Sequence, residues 1–155
     1  MLNRFLTFST NISQAYKYLT KIKSHYMTSM GLKAAHVMCL LHIGFHEEGL
    51  TAVELCTLCA EDKAAISKNL AALKSMDLIW ADDENNSKIY RVKYRVTEKG
   101  AAIHKEISEY VVEAVEVCSA GMSLEEGSTF YRTFNSVVEN MKTYYHDLDK
   151  DDVSK

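Results

Sequence analysis

No proline occurs in the 155 residues, and glycine appears only six times. Proline breaks helix interiors, so its absence favours a mainly helical chain. Long apolar runs are missing as well. The chain is 47% hydrophobic, yet no run approaches the roughly 20 apolar residues that a membrane-spanning helix needs. The glycines form no phosphate-cradling loop, no nucleophile elbow frames a serine, and no carboxylate pair sits in a cleft signature, so nothing points to an enzyme. The opening stretch, MLNRFLTFSTNISQAYKYL, lacks the apolar core and small-residue cleavage site of a secretion signal. A cytoplasmic location without membrane attachment is the expectation, and no cofactor or metal is expected.

An excess of positive charge is also absent. The net charge is −3, which taken whole argues against a nucleic-acid partner. Its distribution reverses that inference. Residues 63–99 carry eight basic groups against five acidic, residues 1–62 five of each, and residues 100–155 five against eleven. Positive charge therefore gathers in one segment, although a solvated hairpin with a chance bias would look the same.

The order of elements gives that segment a meaning. Ile12, Ala15, Tyr16, Leu19, Ile22 and Tyr26 recur at helical spacing over about 11–27, and Gly31 interrupts the run. A nearly all-apolar helix is expected over 33–45. Thr51 and Glu54 form a capping box that opens a short helix to about Ala60. Asp62 is the N-cap of the next helix. There Ile66, Leu70 and Leu73 line a core face that Asp77 closes, while Lys63, Ala64, Ser67, Lys68 and Lys74 lie opposite. A short strand follows over 78–81, then a turn-rich tip over 82–87. Residues 89–96 alternate, with Tyr90, Val92, Tyr94 and Val96 on one face and Arg91, Lys93 and Arg95 on the other.

A long helix is expected from Gly100 to about Ala120. Its stripe of Ile103, Ile107, Tyr110, Val111, Ala114 and Cys118 marks a buried face, and Gly121 suits its cap. Ser123 and Glu126 box the last helix, striped by Phe130, Phe134, Val137, Met141 and Tyr145. The whole reads as a mainly α chain with a small β-hairpin wing (α+β). A winged helix-turn-helix lobe over 31–100 is flanked by dimerisation helices over 1–30 and 101–148. Such a lobe places one short helix in the major groove of double-stranded DNA.

Four phrases in this order resemble the MarR family of transcription regulators. Gly31-Leu32 to Leu40-Leu41 is similar to the family's second helix, and Leu50-Thr51-Ala52-Val53-Glu54-Leu55 to the helix that opens its helix-turn-helix. Asp62-Lys63-Ala64-Ala65-Ile66-Ser67-Lys68 through Leu73 resembles its recognition helix, and Val96-Thr97-Glu98-Lys99-Gly100 its exit from the wing. The resemblance spans about residues 11–147. It implies a homodimer on a palindromic operator, released from DNA by a small-molecule effector or by thiol oxidation. By position it implies that Lys63, Ala64, Ser67 and Lys68 face base edges and phosphates, and that Lys88 and Arg91 serve the wing. Two departures stand out. The wing tip reads Asn85-Asn86-Ser87-Lys88-Ile89-Tyr90 where the family pattern has Asp-x-Arg-Arg, and Lys68 stands where arginine is frequent. Both imply weaker base discrimination, since lysine is a point charge and not a fork.

The cysteines and histidines leave alternatives open. Cys56 and Cys59 have the spacing of a metal half-site or redox pair, and His36 with Cys39 supplies a second pair. Together they sketch a tetrahedral zinc or redox sensor. The weightier reading makes Cys39, Cys56 and Cys59 small hydrophobes in the core, with Cys118 buried on a dimer stripe. His25, Tyr26, Met27 and Met30 mark a junction that borders an effector pocket in the family, without a charged set to fix a ligand. His42, His46, His104 and His146 read as surface or interface residues. A protein-interaction module that uses the winged fold without DNA is the alternative function.

Overall fold

Helices dominate because the chain offers caps at their ends and no proline within them. The computed structural model describes residues 1–82 and 92–153. In chain order its elements are α1 (Leu2–Thr28), α2 (Ala34–Phe45), β1 (Leu50–Thr51), α3 (Ala52–Cys59) and α4 (Lys63–Ser75). After these come β2 (Ile79–Asp82), β3 (Lys93–Val96), α5 (Glu98–Cys118) and α6 (Leu124–Val153). None of these helices is long and apolar enough to cross a membrane among the described residues. The chain divides into two compact units, residues 1–112 and 113–155.

The first unit holds the core. Leu40 and Ile43 of α2, Leu55 of α3, Ile66 and Leu73 of α4, Ile79 of β2 and Ile107 of α5 are all fully buried together. Each such side chain contributes about 1.5–3 kcal/mol of burial free energy. Tyr26 of α1 stacks on Tyr110 of α5 with ring centroids 4.5 Å apart. The junction residues Met27 and Tyr26 thus serve packing. His104 also packs inward: a Cβ on Gly44 would meet its ring at 2.3 Å, so glycine is what lets α5 approach α2.

The sheet departs from the expected two-stranded hairpin. It is three-stranded and antiparallel, ordered β1-β3-β2. Leu50 pairs with Tyr94, and Ile79 with Val96. Strand β1 is only two residues long, too short for a period-two signal. Within the expected strand over 89–96, residues 93–96 form β3, whereas the hairpin tip and residues 89–91 lie outside the described residues.

Helix α1 begins at Leu2, nine residues before the expected Asn11. Its early turns are exposed, so they show no stripe facing this core: Leu2 is 73% exposed and Phe5 64%. Serine and threonine side chains fold back onto the helix there, as where Thr7 Oγ1 donates to Asn3 O at 3.0 Å.

In the second unit, Gly121 takes φ +89° at the turn after α5, a left-handed conformation that glycine adopts without a Cβ clash. Ser123 Oγ accepts from Glu126 N–H at 3.2 Å while the Glu126 carboxylate accepts from Ser123 N–H at 2.8 Å, completing the capping box. Phe130 and Phe134 stack 5.8 Å apart on α6. Cys118, expected on a dimer stripe, is exposed in the single chain.

Gly100 sits where α5 crosses Leu78. A Cβ there would lie 1.8 Å from the Leu78 carbonyl oxygen, a backbone atom that cannot swing aside. Gly127 of α6 has open space around the same position. Gly100→Ala is therefore expected to cost at least about 1–3 kcal/mol, lowering the thermal midpoint by several degrees. Gly127→Ala should be neutral or stabilising, since alanine is the better helix former. Equal melting curves for the two variants would refute this packing.

Candidate nucleic-acid interface

Helix α4 is built to be held from one side only. Asp62 Oδ1 accepts from Ala65 N–H at 2.8 Å, satisfying a free amide of the first turn and fixing where the helix starts. Ile66, Asn69, Leu70 and Leu73 are buried against α2 and α3. Lys63, Ala64, Ser67, Lys68 and Lys74 are all exposed on the other face, and Ala71 joins them. The four α4 residues expected at DNA thus share one solvent-facing row. Lys88 and Arg91, the expected wing residues, lie outside the described residues.

The turns on either side of α4 have the same construction. Ala60 N–H donates to Thr57 O at 3.4 Å and Glu61 N–H to Cys56 O at 3.1 Å, closing α3 in a Schellman motif. Asp77 N–H donates to Lys74 O and Leu78 N–H to Leu73 O, each at 3.0 Å, closing α4 likewise. The motif needs a left-handed residue, and here Ala60 (φ 54°) and Asp77 (φ 58°) supply it. Neither position is glycine, so the residue that normally signals such a turn is missing from the sequence. Before α3, Thr51 Oγ1 accepts from Glu54 N–H at 3.3 Å and the Glu54 carboxylate accepts from Thr51 N–H at 2.7 Å, as the capping box predicted. Those bonds hold the Glu54 carboxyl below its ordinary pKa, so this cap contributes above the ordinary carboxylate range and is lost as pH falls through the lowered one.

Two cations from the basic segment have structural employment instead of a free charge. Arg95 Nε donates to Asp82 Oδ2 at 3.0 Å, and its guanidinium also bonds the Glu47 carbonyl. It ties β3 to β2 and to the turn after α2. Lys99 Nζ donates to Met76 O at 2.7 Å, neutralising the negative end of α4. Thr97 adds a bond from Oγ1 to Asp77 O at 2.7 Å, and its N–H donates to Leu78 O at 3.1 Å. The first turn of α5 thereby grips the last turn of α4. The surplus of charge in residues 63–99 reduces, among described residues, to a lysine row on α4 with half-buried Lys93 nearby in sequence on β3.

The four-residue metal sketch is corrected. Among the described residues no group of three or more histidine, cysteine, aspartate or glutamate side chains is placed to hold an ion. His36 Nδ1 instead accepts from the backbone N–H of Lys33 at 3.3 Å. The pair that does meet is Cys39 with Cys59, Sγ to Sγ 3.8 Å, at the contact of α2 with the end of α3. The two helices therefore meet as the sketch required, but only one cysteine of each pair reaches the contact. The shared hydrogen bond pushes the Cys39 thiol pKa down and, with burial, the Cys59 thiol up.

Solved structures share this fold. A candidate MarR-family transcriptional regulator from Listeria monocytogenes, in complex with a 26-mer DNA, is 20% identical with a TM-score of 0.80 over 91% of this chain and 93% of that one. The MepR–DNA complex of S. aureus is 13% identical with a TM-score of 0.77 over 86% and 97%. Staphylococcus aureus MarR in complex with salicylate and kanamycin is 19% identical with a TM-score of 0.75 over 92% and 95%. No family model matches the sequence, and no curated protein does either. At these identities the likeness establishes the fold: a MarR-like winged helix, mostly helical, with a small antiparallel sheet.

Left-handed alanine costs about 1–2 kcal/mol, part of which glycine's greater unfolded-state freedom offsets. Ala60→Gly is therefore expected to raise stability by about 0.5–1 kcal/mol in urea unfolding. A lowered midpoint would contradict the strained turn described between α3 and α4.

Proposed function

We propose that this chain is a DNA-binding transcription regulator that works as a homodimer. One α4 from each copy enters successive major grooves of a palindromic operator. The observation that carries the reading is the division of α4 into a buried rear and an exposed row of Lys63, Ala64, Ser67 and Lys68. Ser67 hydrogen-bonds a base or phosphate, Lys68 reaches guanine acceptors, and Lys63 neutralises phosphate. Lys88 and Arg91 contribute from the wing. The fold's occurrence in proteins solved with DNA supports the same assignment.

The dimer rests on apolar surface that the single chain leaves in water. On α1, Phe5 is 64% exposed and Tyr16 75%; on α6, Phe130, Met141 and Tyr145 are each more than half exposed. Large apolar side chains left exposed in such numbers on one helix mark an interaction site. Repression is the direction of control, relieved by a small-molecule effector or by a change in thiol state. S. aureus MarR, solved with salicylate, makes an organic effector the favoured input. The protein acts in the cytoplasm and carries out no chemistry of its own.

A gel shift with the duplex upstream of the protein's own reading frame tests this. Log affinity should fall linearly with log salt, with a slope near −0.9 per phosphate neutralised. The double variant Lys63→Ala/Lys68→Ala should keep its melting temperature and lose at least about 30-fold in affinity, or 2 kcal/mol. Its salt slope should be shallower by about 1 for each phosphate-bound lysine removed. Unchanged binding by the double variant would sink the α4 assignment, and no binding by either protein would favour a protein-interaction role.

A further inference from the structure

Two sulfurs from different helices face each other where α2 meets the end of α3. Cys39, in the middle of α2, is buried at 1% exposure. Cys59, the last residue of α3, is half-buried. Their Sγ atoms lie 3.8 Å apart, and both thiols are free. Asn69 of α4 donates its Nδ2–H to Cys39 Sγ at 3.9 Å. Asn69 and His36 are the buried polar side chains among the described residues, so the amide spends a scarce interior donor on sulfur. Such a bond strengthens when its acceptor becomes an anion. Apolar packing of two small thiols needs no donor of that kind. The pair thus combines a buried sulfur prepared for negative charge with a second sulfur that solvent reaches.

The separation and the ligand count select an ion. Metal–thiolate bonds are about 2.3 Å long, so two of them span about 3.8 Å at a tetrahedral angle and about 4.6 Å in a line. The sulfurs already stand at the near end of that span. Zinc takes four ligands in structural sites. Among the described residues no third histidine, cysteine, aspartate or glutamate completes a group with this pair. The Glu61 carboxylate bears on both sulfurs only as an opposing charge that raises their pKa values. Thiolates select soft ions, and Cu(I) is the biological one that two thiolates satisfy.

We propose that Cys39 and Cys59 form a two-coordinate site for Cu(I) that bridges α2 to α3. Each thiol gives its proton to solvent as its copper–sulfur bond forms. Copper stays Cu(I), so no electron changes hands. The ion arrives by thiolate exchange at the accessible Cys59 and is then captured by Cys39. This site goes beyond the regulator reading and does not rest on it.

The test is an anaerobic titration of the reduced full chain with Cu(I), held against a chromogenic Cu(I) chelator, with Zn(II) as the comparison. One Cu(I) should bind per chain, and Zn(II) at least 1,000-fold more weakly. Cys39→Ser and Cys59→Ser should each weaken Cu(I) at least 100-fold, whereas Cys56→Ser and Cys118→Ser stay within threefold of wild type. Cys59 is half-buried, so its variant decides the matter even where Cys39→Ser fails to fold. X-ray absorption of the loaded protein should show two sulfur neighbours and no nitrogen or oxygen. Glu61→Gln should bind Cu(I) more tightly, because an opposing charge is gone. Bound copper should also raise the thermal midpoint of wild type and leave that of Cys59→Ser unmoved. Refusal of Cu(I) by the reduced chain, full affinity in Cys59→Ser, or an equal loss in Cys56→Ser or Cys118→Ser would each overturn the site. Zinc binding as tight as copper, a third ligand in the absorption spectrum, or weaker binding by Glu61→Gln would overturn the two-coordinate assignment.

Discussion

A helix with one bare face is held in place only from behind, and in this chain that constraint falls on the rear of α4. Ile66, Leu70 and Leu73 seal it against α2 and α3. The ends are secured by different means: the Asp62 cap at the start, and Lys99 with Thr97 at the finish. Among the described residues none of the outward side chains of Lys63, Ala64, Ser67 and Lys68 makes a hydrogen bond or ion pair within the chain, so rigidity does not cost the face its donors. The grip of α5 on the last turn of α4 has a further effect. The Met76 and Asp77 carbonyls join the start of α5 to the end of α4 in addition to the core.

Most of this was legible from residue order. The capping pairs Thr51–Glu54 and Ser123–Glu126 formed as read, because a hydroxyl and a carboxylate three residues apart satisfy orphan amides wherever a helix starts. The division of α4 into core and exposed faces followed from its 3.6-residue period. What escaped was whatever lacked a local signal. Strand β1 is too short to alternate, the first turns of α1 are exposed, and Ala60 and Asp77 hold glycine's conformation without glycine.

The candidate site was less legible than the fold. Counting charge gave Arg95 and Lys99 to the interface, whereas contacts far away in sequence claim them: Glu47 and Asp82 for the first, Met76 for the second. Spacing likewise paired Cys56 with Cys59 and His36 with Cys39, while packing brought Cys39 to Cys59. A periodic pattern reports which way a side chain faces. It does not report which partner waits there, and long-range partners decide whether a cation is free.

The central claim is that the bare row of α4 is where DNA lies. Lysine modification read by mass spectrometry, with and without the duplex upstream of the protein's own gene, measures this directly. The account predicts strong protection of Lys63 and Lys68 on DNA binding and unchanged labelling of Lys142, which lies on α6 and pairs with Glu139. Protection of Lys142 with Lys63 and Lys68 labelled as before would contradict it.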